Sequence, residues 1–458
     1  MGTDLIRALE GALGKQQVLT KTSDLLCYAY DATADAEGRA PDVVVLPAST
    51  DEVARVVCIA RDAGVPVYPR GAGTSLSGGA IPARGGIVLS TAAMDAVLEL
   101  DAENHCAIVQ PGVVIQRLKD MADEHGLMYP PDLGSVAVAT MGGSIAECSG
   151  GLRGLKYGVT KHYVTGLEVV LADGQVVRLG GKTTKNVTGY DLVGLFVGSE
   201  GTLGVITEAT VRLVPAPEAR ATMTAVFARS GDASRAVAAI VAGKVVPATL
   251  EFIDAATLRV IEEYIHAGLP LDVAALLLVE VDGPPEAVAR EADFVERVCR
   301  EHGGKVERAA DDEARERLWA ARRAAYPALA RHSRGTILED ATVPRSRIPD
   351  MLAAIEDIAR RNGLTIATHG HAGDGNLHPV LLVDPDDADE MERAHAAVAE
   401  IFRAALDLGG TLSGEHGIGS AKAPYLGWAL GEGGLDLTRR IKAALDPQGI
   451  LNPGKFTE

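Results

Sequence analysis

The sequence predicts an α+β fold in two parts, and three observations carry that reading. Up to about residue 215, short strand-like runs are separated by dense glycine clusters. Beyond it, Ala-rich helical stretches alternate with well-separated apolar strands. Between the two halves, Pro215 and Pro217 mark a boundary. The 458 residues suffice for two or three domains. Three spans are expected: an N-terminal helical segment (1–40), a first domain (41–216) and a second domain (217–458). Glycine is abundant, with 51 residues, yet Gly and Pro together stay below the ~25–30% of low-complexity chains. The fold therefore needs many positions without a Cβ.

The elements follow in order. Residues 1–40 read as a short amphipathic helix and then polar chain. Asp42 to Leu46 (DVVVL) is a strand. Ser49 and Glu52 have capping-box spacing before VARVVCIARDAG, a helix ended by Gly64. Val65 to Tyr68 is a second strand, running into PRGAGTSLSGG (69–79). Strands are expected at GGIVLS, AVLELD and CAIVQPG, with a helix over Val113 to Gly126. Met141 to Gly158 is a second glycine cluster. LEVVLADGQVVRL reads as a hairpin through Ala172-Asp173-Gly174. In the second half, helices are expected near 233–243, 254–266, 284–302, 311–331, 346–362, 386–408 and 434–446. Strands are expected at AALLLVEVD, LTIATHG and HPVLLV.

Composition excludes several function classes. Lys+Arg number 44 against 62 Asp+Glu, a net charge of −18, which argues against a phosphate-backbone partner such as nucleic acid. Five scattered cysteines, none in C-x-x-C spacing, support neither a disulfide framework nor a zinc ribbon or iron–sulfur cluster. The N-terminal MGTDLIRALEGALGKQQ has no apolar h-region. The longest strongly apolar run, Ala274 to Val281, contains Glu280 and is too short to span a bilayer. A cytoplasmic protein is expected, with any membrane association peripheral to the inner face.

The glycine loops fail two nucleotide-binding patterns. Gly71-Ala72-Gly73-Thr74-Ser75-Leu76 lacks the third glycine of the dinucleotide fingerprint. Gly181-Lys182-Thr183 lacks the earlier P-loop glycine, since Val176 stands there. Two readings of R-G-x-G-T-S remain open: an anion-binding nest of backbone N–H groups, or a tight surface loop.

Taken in order, PRGAGTSLSGGA, PPDLGS (130–135), ATMGGSIAECSGGLRGLKYGVT (139–160) and GSEGTLGVIT (198–207) resemble the flavin-binding domain of the vanillyl-alcohol-oxidase/p-cresol-methylhydroxylase superfamily. HGHAGDGNLHP (369–379), SGEHGIG (413–419) and DPQGILNPGK (446–455) resemble its D-2-hydroxyacid dehydrogenase branch. That branch includes D-lactate dehydrogenases, the glycolate oxidase flavoprotein subunit and D-2-hydroxyglutarate dehydrogenase. The resemblance covers roughly residues 40–455. It implies a p-cresol-methylhydroxylase-type FAD-binding domain of two subdomains. An α+β substrate and metal domain with an antiparallel sheet would follow, its last residues returning to the flavin. Arg70, Gly71, Ala72, Gly73, Thr74 and Ser75 would cradle the pyrophosphate. Asp132, Ser135, Thr140, Gly143, Ser144, Gly150, Tyr157, Val205, Ile206 and Thr207 would approach the adenosine, ribityl chain or ring. Cys148 is the one cysteine near the ring region, and a small buried cysteine is expected there, so FAD is expected to be dissociable.

Two short windows concentrate histidine and carboxylate. His369, His371 and His378 flank GHAGDGNL in what reads as a loop between strands, and Glu415 and His416 lie in SGEHG. Two His and one carboxylate make a divalent-metal site with open positions, suited to Zn, Mn, Fe or Co. The resemblance implies the assignment: His371, His378 and Glu415 as ligands of a metal such as Zn or Mn, and His416 as the base. Asp374 and Asn376 are expected to shape the loop through bonds to backbone. Arg322 matches the family's substrate arginine; the other reading is a solvated helix arginine. The implied reaction is oxidation of a D-2-hydroxyacid to the 2-oxoacid, with hydride passing to flavin. Leu338, Val380 and Tyr326 depart from the 2-hydroxyglutarate enzymes and point to lactate, glycolate or another small or apolar acid. A non-catalytic flavin subunit would lose the His/Glu set, and a metal-free flavin oxidase would lack the HGHAGDGNLH loop. The electron acceptor is expected to be a quinone, an electron-transfer flavoprotein, an iron–sulfur subunit or oxygen. The oligomeric state stays open, with a homodimer as one option.

Overall fold

The computed structural model describes residues 3–33 and 39–456. Of the expected N-terminal segment, residues 1, 2 and 34–38 lie outside the described residues. The chain divides into two units. Unit 1 comprises Met1–Ser149, Val159–Ala216 and Glu415–Glu458; unit 2 comprises Gly150–Gly158 and Pro217–Gly414. The span 217–458 is thus divided between them.

Unit 1 contains a four-stranded sheet in the order Val18–Leu19, Val43–Val45, Ile87–Ser90, Val67–Arg70. The last three strands run parallel. The helix Thr50–Ala63 starts where the capping pattern placed it: the Glu52 N–H donates to Ser49 Oγ at 3.3 Å. The return arm differs by one residue, because Glu52 Oε2 accepts from the Ala48 N–H at 2.7 Å. Val53, Val56, Val57 and Ala60, spaced three and four apart, turn one helix face onto Val43, Val45, Val67, Ile87 and Leu89. Each such buried Val stabilises by about 1.5–3 kcal/mol relative to an exposed one. Chain from the far terminus completes this core. The Val67 N–H donates to Ile450 O at 2.7 Å, the Asn452 N–H donates to Val67 O at 2.8 Å, and Ile450 and Leu451 are buried in the cluster.

Unit 1 also holds a five-stranded antiparallel sheet, Val97–Asp101, Cys106–Val109, Val205–Arg212, Val164–Val170, Val176–Gly180. The expected hairpin closes with the Leu171 N–H donating to Gln175 O at 2.9 Å and Gly174 at φ 85°. Three stretches depart from expectation. Val18 and Leu19 pair with Val45 and Val44, where polar chain was expected. Met141–Glu147 is helical despite Gly142 and Gly143, because burial of Met141, Ser144 and Ile145 outweighs propensity. The last helix, Leu426–Leu445, begins earlier than residue 434 and is broken at Gly431 (φ 63°).

Unit 2 is an antiparallel sheet in the order Lys305–Arg308, Ala219–Phe227, Ala275–Gly283, Thr249–Asp254, Thr365–His371, Asn376–Val383, Gly335–Leu338, with Ala341–Thr342 also paired to Asn376–Val383. Strand alternation sorts its two faces. One carries Met223, Ala225, Phe227, Leu250, Phe252, Leu277 and Val279, all buried, and helices Ser230–Ala242 and Pro285–Glu301 pack on these strands. The other carries Ile253, Leu276, Leu278, Ala367 and Val380 beneath helices Ala255–Ile265, Asp312–Arg323 and Ala325–His332. The expected single helix 311–331 is interrupted at Ala324: Pro327 has no N–H for a continuing ladder but is tolerated in the first turn of a new helix.

Candidate active site

The apolar face of unit 2 turns polar toward one end, and register shows how. Ile253 pairs with His369, His369 with His378, and His371 with Asn376. Residues two apart share a face, so Glu251, His369, His371, Asn376 and His378 project together beyond Ile253, Ala367 and Val380. All three histidines therefore stand on strands: His369 and His378 lie within the expected strands, and the difference is His371, which ends the strand Thr365–His371 instead of lying in the loop; only residues 372–375 form the turn. That turn is closed by backbone, with the Asp374 and Gly375 N–H groups both donating to His371 O at 3.2 Å. The His371 and His378 rings are 5.1 Å apart at 86°, and the His369 and His378 rings 5.5 Å apart.

Arg322 is 7% exposed and so is not a solvated helix arginine. The helix Asp312–Arg323 points Arg315, Trp319 and Arg322, at i, i+4 and i+7, onto this face. Arg322 Nε donates to Glu251 Oε2 at 2.7 Å. His371 Nδ1 lies 2.8 and 3.0 Å from the two oxygens of the same carboxylate. Burial alone would raise the Glu251 carboxyl, but facing His371 and Arg322 hold it below the ordinary range. Beside it, Glu280 accepts from Thr222 Oγ1, Arg315 Nε and Trp319 Nε1 at 2.8, 2.8 and 3.0 Å. Asp340, fully buried, has Oδ1 3.9 Å from His378 Nδ1, while its Oδ2 accepts from Ser413 Oγ and the Gly414 N–H at 2.9 and 2.8 Å.

Gly150 and Tyr157 also belong to unit 2. Tyr157 Oη donates to Asp282 Oδ2 at 2.7 Å, and Lys156 pairs with the same carboxylate. A Cβ on Gly154 would strike the Asp374 carboxylate, so this glycine serves packing on the histidine hairpin.

The remaining predicted residues stand in unit 1. Arg70 folds under its own loop: Nη1 donates to Tyr30 O at 2.8 Å, and the guanidinium lies 5.5 Å from the Tyr28 ring centroid. Gly73 sits at φ 70° directly over it, where a Cβ would strike the guanidinium. Ser75 Oγ accepts from the Gly79 N–H at 3.2 Å. Thr140 is buried, and its Oγ1 has no hydrogen-bond partner among the described residues. A Cβ on Gly71 would meet that hydroxyl, so Gly71 and Thr140 form a close-approach pair with a spare polar atom, which suits a phosphate-bearing cofactor. Gly143 and Ser144 lie in the helix Met141–Glu147, and Ser144 Oγ is 3.1 Å from Thr160 Oγ1. Asp132 pairs with Lys119 at 2.5 Å, and Ser135 is half-buried nearby in sequence. Val205 and Ile206 pair with Val170 and Val169, and Thr207 Oγ1 donates to Glu168 Oε1 at 3.0 Å.

Glu415 and His416 begin the last segment of unit 1, with 3.9 Å between Glu415 Oε1 and His416 Nε2. The carbonyl of His416 accepts from Ser77 Oγ at 2.8 Å. Ile418 and Gly419 N–H groups each donate to the Glu200 carboxylate at 2.7 Å. The His416 loop thus rests on the loop 71–79. Lys455 supports the same loop from below, its Nζ donating to Gly78 O and Ile81 O at 2.6 and 2.8 Å. Burial lowers the Lys455 ammonium to about 8 and raises the Glu147 and Glu200 carboxyls.

Comparison with known proteins decides the family. Residues 216–456 match the model described as "FAD linked oxidases, C-terminal domain", and residues 41–180 match "FAD binding domain". The chain belongs to the FAD-linked oxidase family. Among its relatives in that family, the "Glycolate oxidase subunit GlcD" of Bacillus subtilis (strain 168) is 52% identical over 94% of this chain and 92% of the relative. The "D-lactate dehydrogenase" of Archaeoglobus fulgidus is 39% identical over 90% of each chain. The crystal structure of p-cresol methylhydroxylase with substrate bound aligns with TM-score 0.82 at 20% identity, covering 99% of this chain and 96% of that one. That likeness shows the fold. This FAD-linked oxidase is an FAD-dependent oxidoreductase. No helix among its described residues is long and apolar enough to cross a membrane.

Sequence reasoning missed Glu251 and Asp340. A signal existed for Glu251: in TLEFID a carboxylate occupies the apolar phase of a buried strand, as Glu280 does in LLLVEV. Asp340 carried none.

Proposed function

We propose that this FAD-linked oxidase oxidises a D-2-hydroxyacid, such as lactate, glycolate or a similar small or apolar acid, to the 2-oxoacid. FAD would be held non-covalently by residues 70–75 and by Asp132, Ser135, Thr140, Gly143, Ser144, Gly150, Tyr157 and 205–207. A divalent metal, Zn or Mn, would be held by His371, His378 and Glu415. The observation that carries this reading is the buried Arg322 on the same sheet face as the His371–His378 pair. A guanidinium fork beside paired imidazoles suits an acid whose hydroxyl is one bond from its carboxylate. Bound FAD would accept the hydride, and a bound divalent metal would lower the pKa of the substrate hydroxyl. The residues do the rest. Arg322 fixes the carboxylate, and His416 takes the hydroxyl proton, its main chain steadied by Ser77. Leu338 and Val380 are cross-strand partners within an apolar cluster, which suits a small or apolar acid better than one with a second carboxylate.

The test is a dye-reduction assay on the purified flavoprotein with D- and L-2-hydroxyacids, before and after chelation. D-specific activity lost on chelation and restored by metal supports the proposal. Activity indifferent to chelation and to His371→Ala overturns its metal component. A second reading, the flavin-binding subunit of a multi-subunit glycolate oxidase complex, is favoured by the subunit name of the 52%-identical relative. It predicts that the tagged chain co-purifies from its own cells with stoichiometric partner subunits.

A further inference from the structure

Two residues that the proposed reaction uses are bonded to one carboxylate that it does not use. Glu251 is fully buried on the strand Thr249–Asp254. Its Oε2 accepts from Arg322 Nε at 2.7 Å and lies 2.7 Å from Arg322 Nη2. His371 Nδ1 sits 2.8 Å from Oε1 and 3.0 Å from Oε2. A carboxylate already accepting from a guanidinium is an acceptor only, so the bond to His371 requires the hydrogen on Nδ1. In the neutral ring the lone pair is then on Nε2. On the other side, Nε and Nη2 of Arg322 are both directed at one oxygen, so the guanidinium meets an incoming anion with its remaining N–H groups.

We propose that Glu251 is a positioning residue that presents both partners: it fixes His371 in the tautomer whose Nε2 can bind a metal, and it sets which edge of Arg322 receives the substrate carboxylate. The inference rests on the metal reading given above. Carboxylates that orient ligating histidines in this way contribute about 10–100-fold to metal affinity or activity. Glu280 is the internal control. It too is buried, on the same face, but its hydrogen bonds among the described residues go to Thr222, and to Arg315 and Trp319 from the same helix, not to a histidine.

The experiment measures equilibrium binding of Zn and Mn to the FAD-loaded protein stripped of metal, for wild type, Glu251→Gln and Glu280→Gln. Glu251→Gln is expected to bind metal about 10–100-fold more weakly and to raise KM for the D-2-hydroxyacid. Glu280→Gln is expected to bind metal as wild type does, whatever its loss of thermal stability. Wild-type metal affinity in Glu251→Gln overturns the inference alone. Absence of metal binding by the wild type overturns the reading beneath it, and the inference with it. Should Glu251→Gln not fold, ¹⁵N spectra of histidine-labelled wild-type protein decide, with His371 assigned by its loss in His371→Gln. At a pH where the ring is neutral, hydrogen on Nδ1 supports the proposal, and hydrogen on Nε2 overturns it.

Discussion

Buried carboxylates fall into two kinds here, separated by what faces them. Glu251 and Glu280 face guanidinium or imidazole groups and are held below their ordinary values despite desolvation. Glu147 is driven well above its ordinary 4.5 by desolvation, then by Glu200 and Asp31, with Ser75 and Lys455 opposing. A carboxyl raised in the folded state binds more protons folded than unfolded, so stability falls as pH rises above about 4.5 toward the raised value. Glu147→Gln is therefore expected to flatten the decline of unfolding midpoint with rising pH. The depressed Glu251 acts in the other window: its contribution is present above the unfolded value and is lost as pH falls through the folded one. Removing Arg322 leaves that carboxylate short of a cation. Arg322→Met is expected to cost about 3–5 kcal/mol in urea unfolding, and the double variant with Glu251→Gln should recover much of it. The sequence motifs pointed to Arg322 and the histidines, but nothing local in the sequence pairs residue 251 with 322 and 371.

At the scale of elements, the hairpin Thr365–His371 and Asn376–Val383 is the rigid base of the proposed site. Its turn depends on Gly375, at φ 95° with no room for a Cβ against Val343 O. Gly375→Ala is expected to destabilise by about 1–3 kcal/mol from backbone strain, more if the carbonyl cannot move. Activity should fall further than stability, because the turn sets the spacing of His371 and His378; thermal melts and steady-state rates compare the two. Local signals marked some elements well. Ser49 and Glu52 bracketed a helix start, and Ala172-Asp173-Gly174 a hairpin. They failed where tertiary packing overrode them. Met141–Glu147 is helical with two glycines, and His371, in a glycine-rich window, extends a strand because Asn376 supplies the pairing.

At the scale of the whole molecule, neither unit is continuous in sequence. Residues 150–158 belong to unit 2, tied down by Lys156 and Tyr157 on Asp282. Residues 415–458 belong to unit 1, where Ile450 and Leu451 enter the core and Asn452 Nδ2 donates to Gly79 O and Glu200 O at 3.1 and 2.6 Å. Deleting residues 449–458 is expected to lower the melting transition of unit 1 and release flavin, while the transition of unit 2 persists; calorimetry with flavin absorbance reads both. Pro215 and Pro217 stand where the chain passes from unit 1 into unit 2. The return of the terminus was implied only by resemblance, since no periodicity reports a long-range core contact. The central claim is chemical: an FAD- and metal-dependent enzyme for D-2-hydroxyacids. It is tested most directly by anaerobic mixing of the flavoprotein with D- and L-lactate, following flavin absorbance before and after chelation. The account predicts bleaching by the D enantiomer alone, abolished by the chelator. Bleaching by L-lactate, or D-bleaching untouched by chelation, contradicts it.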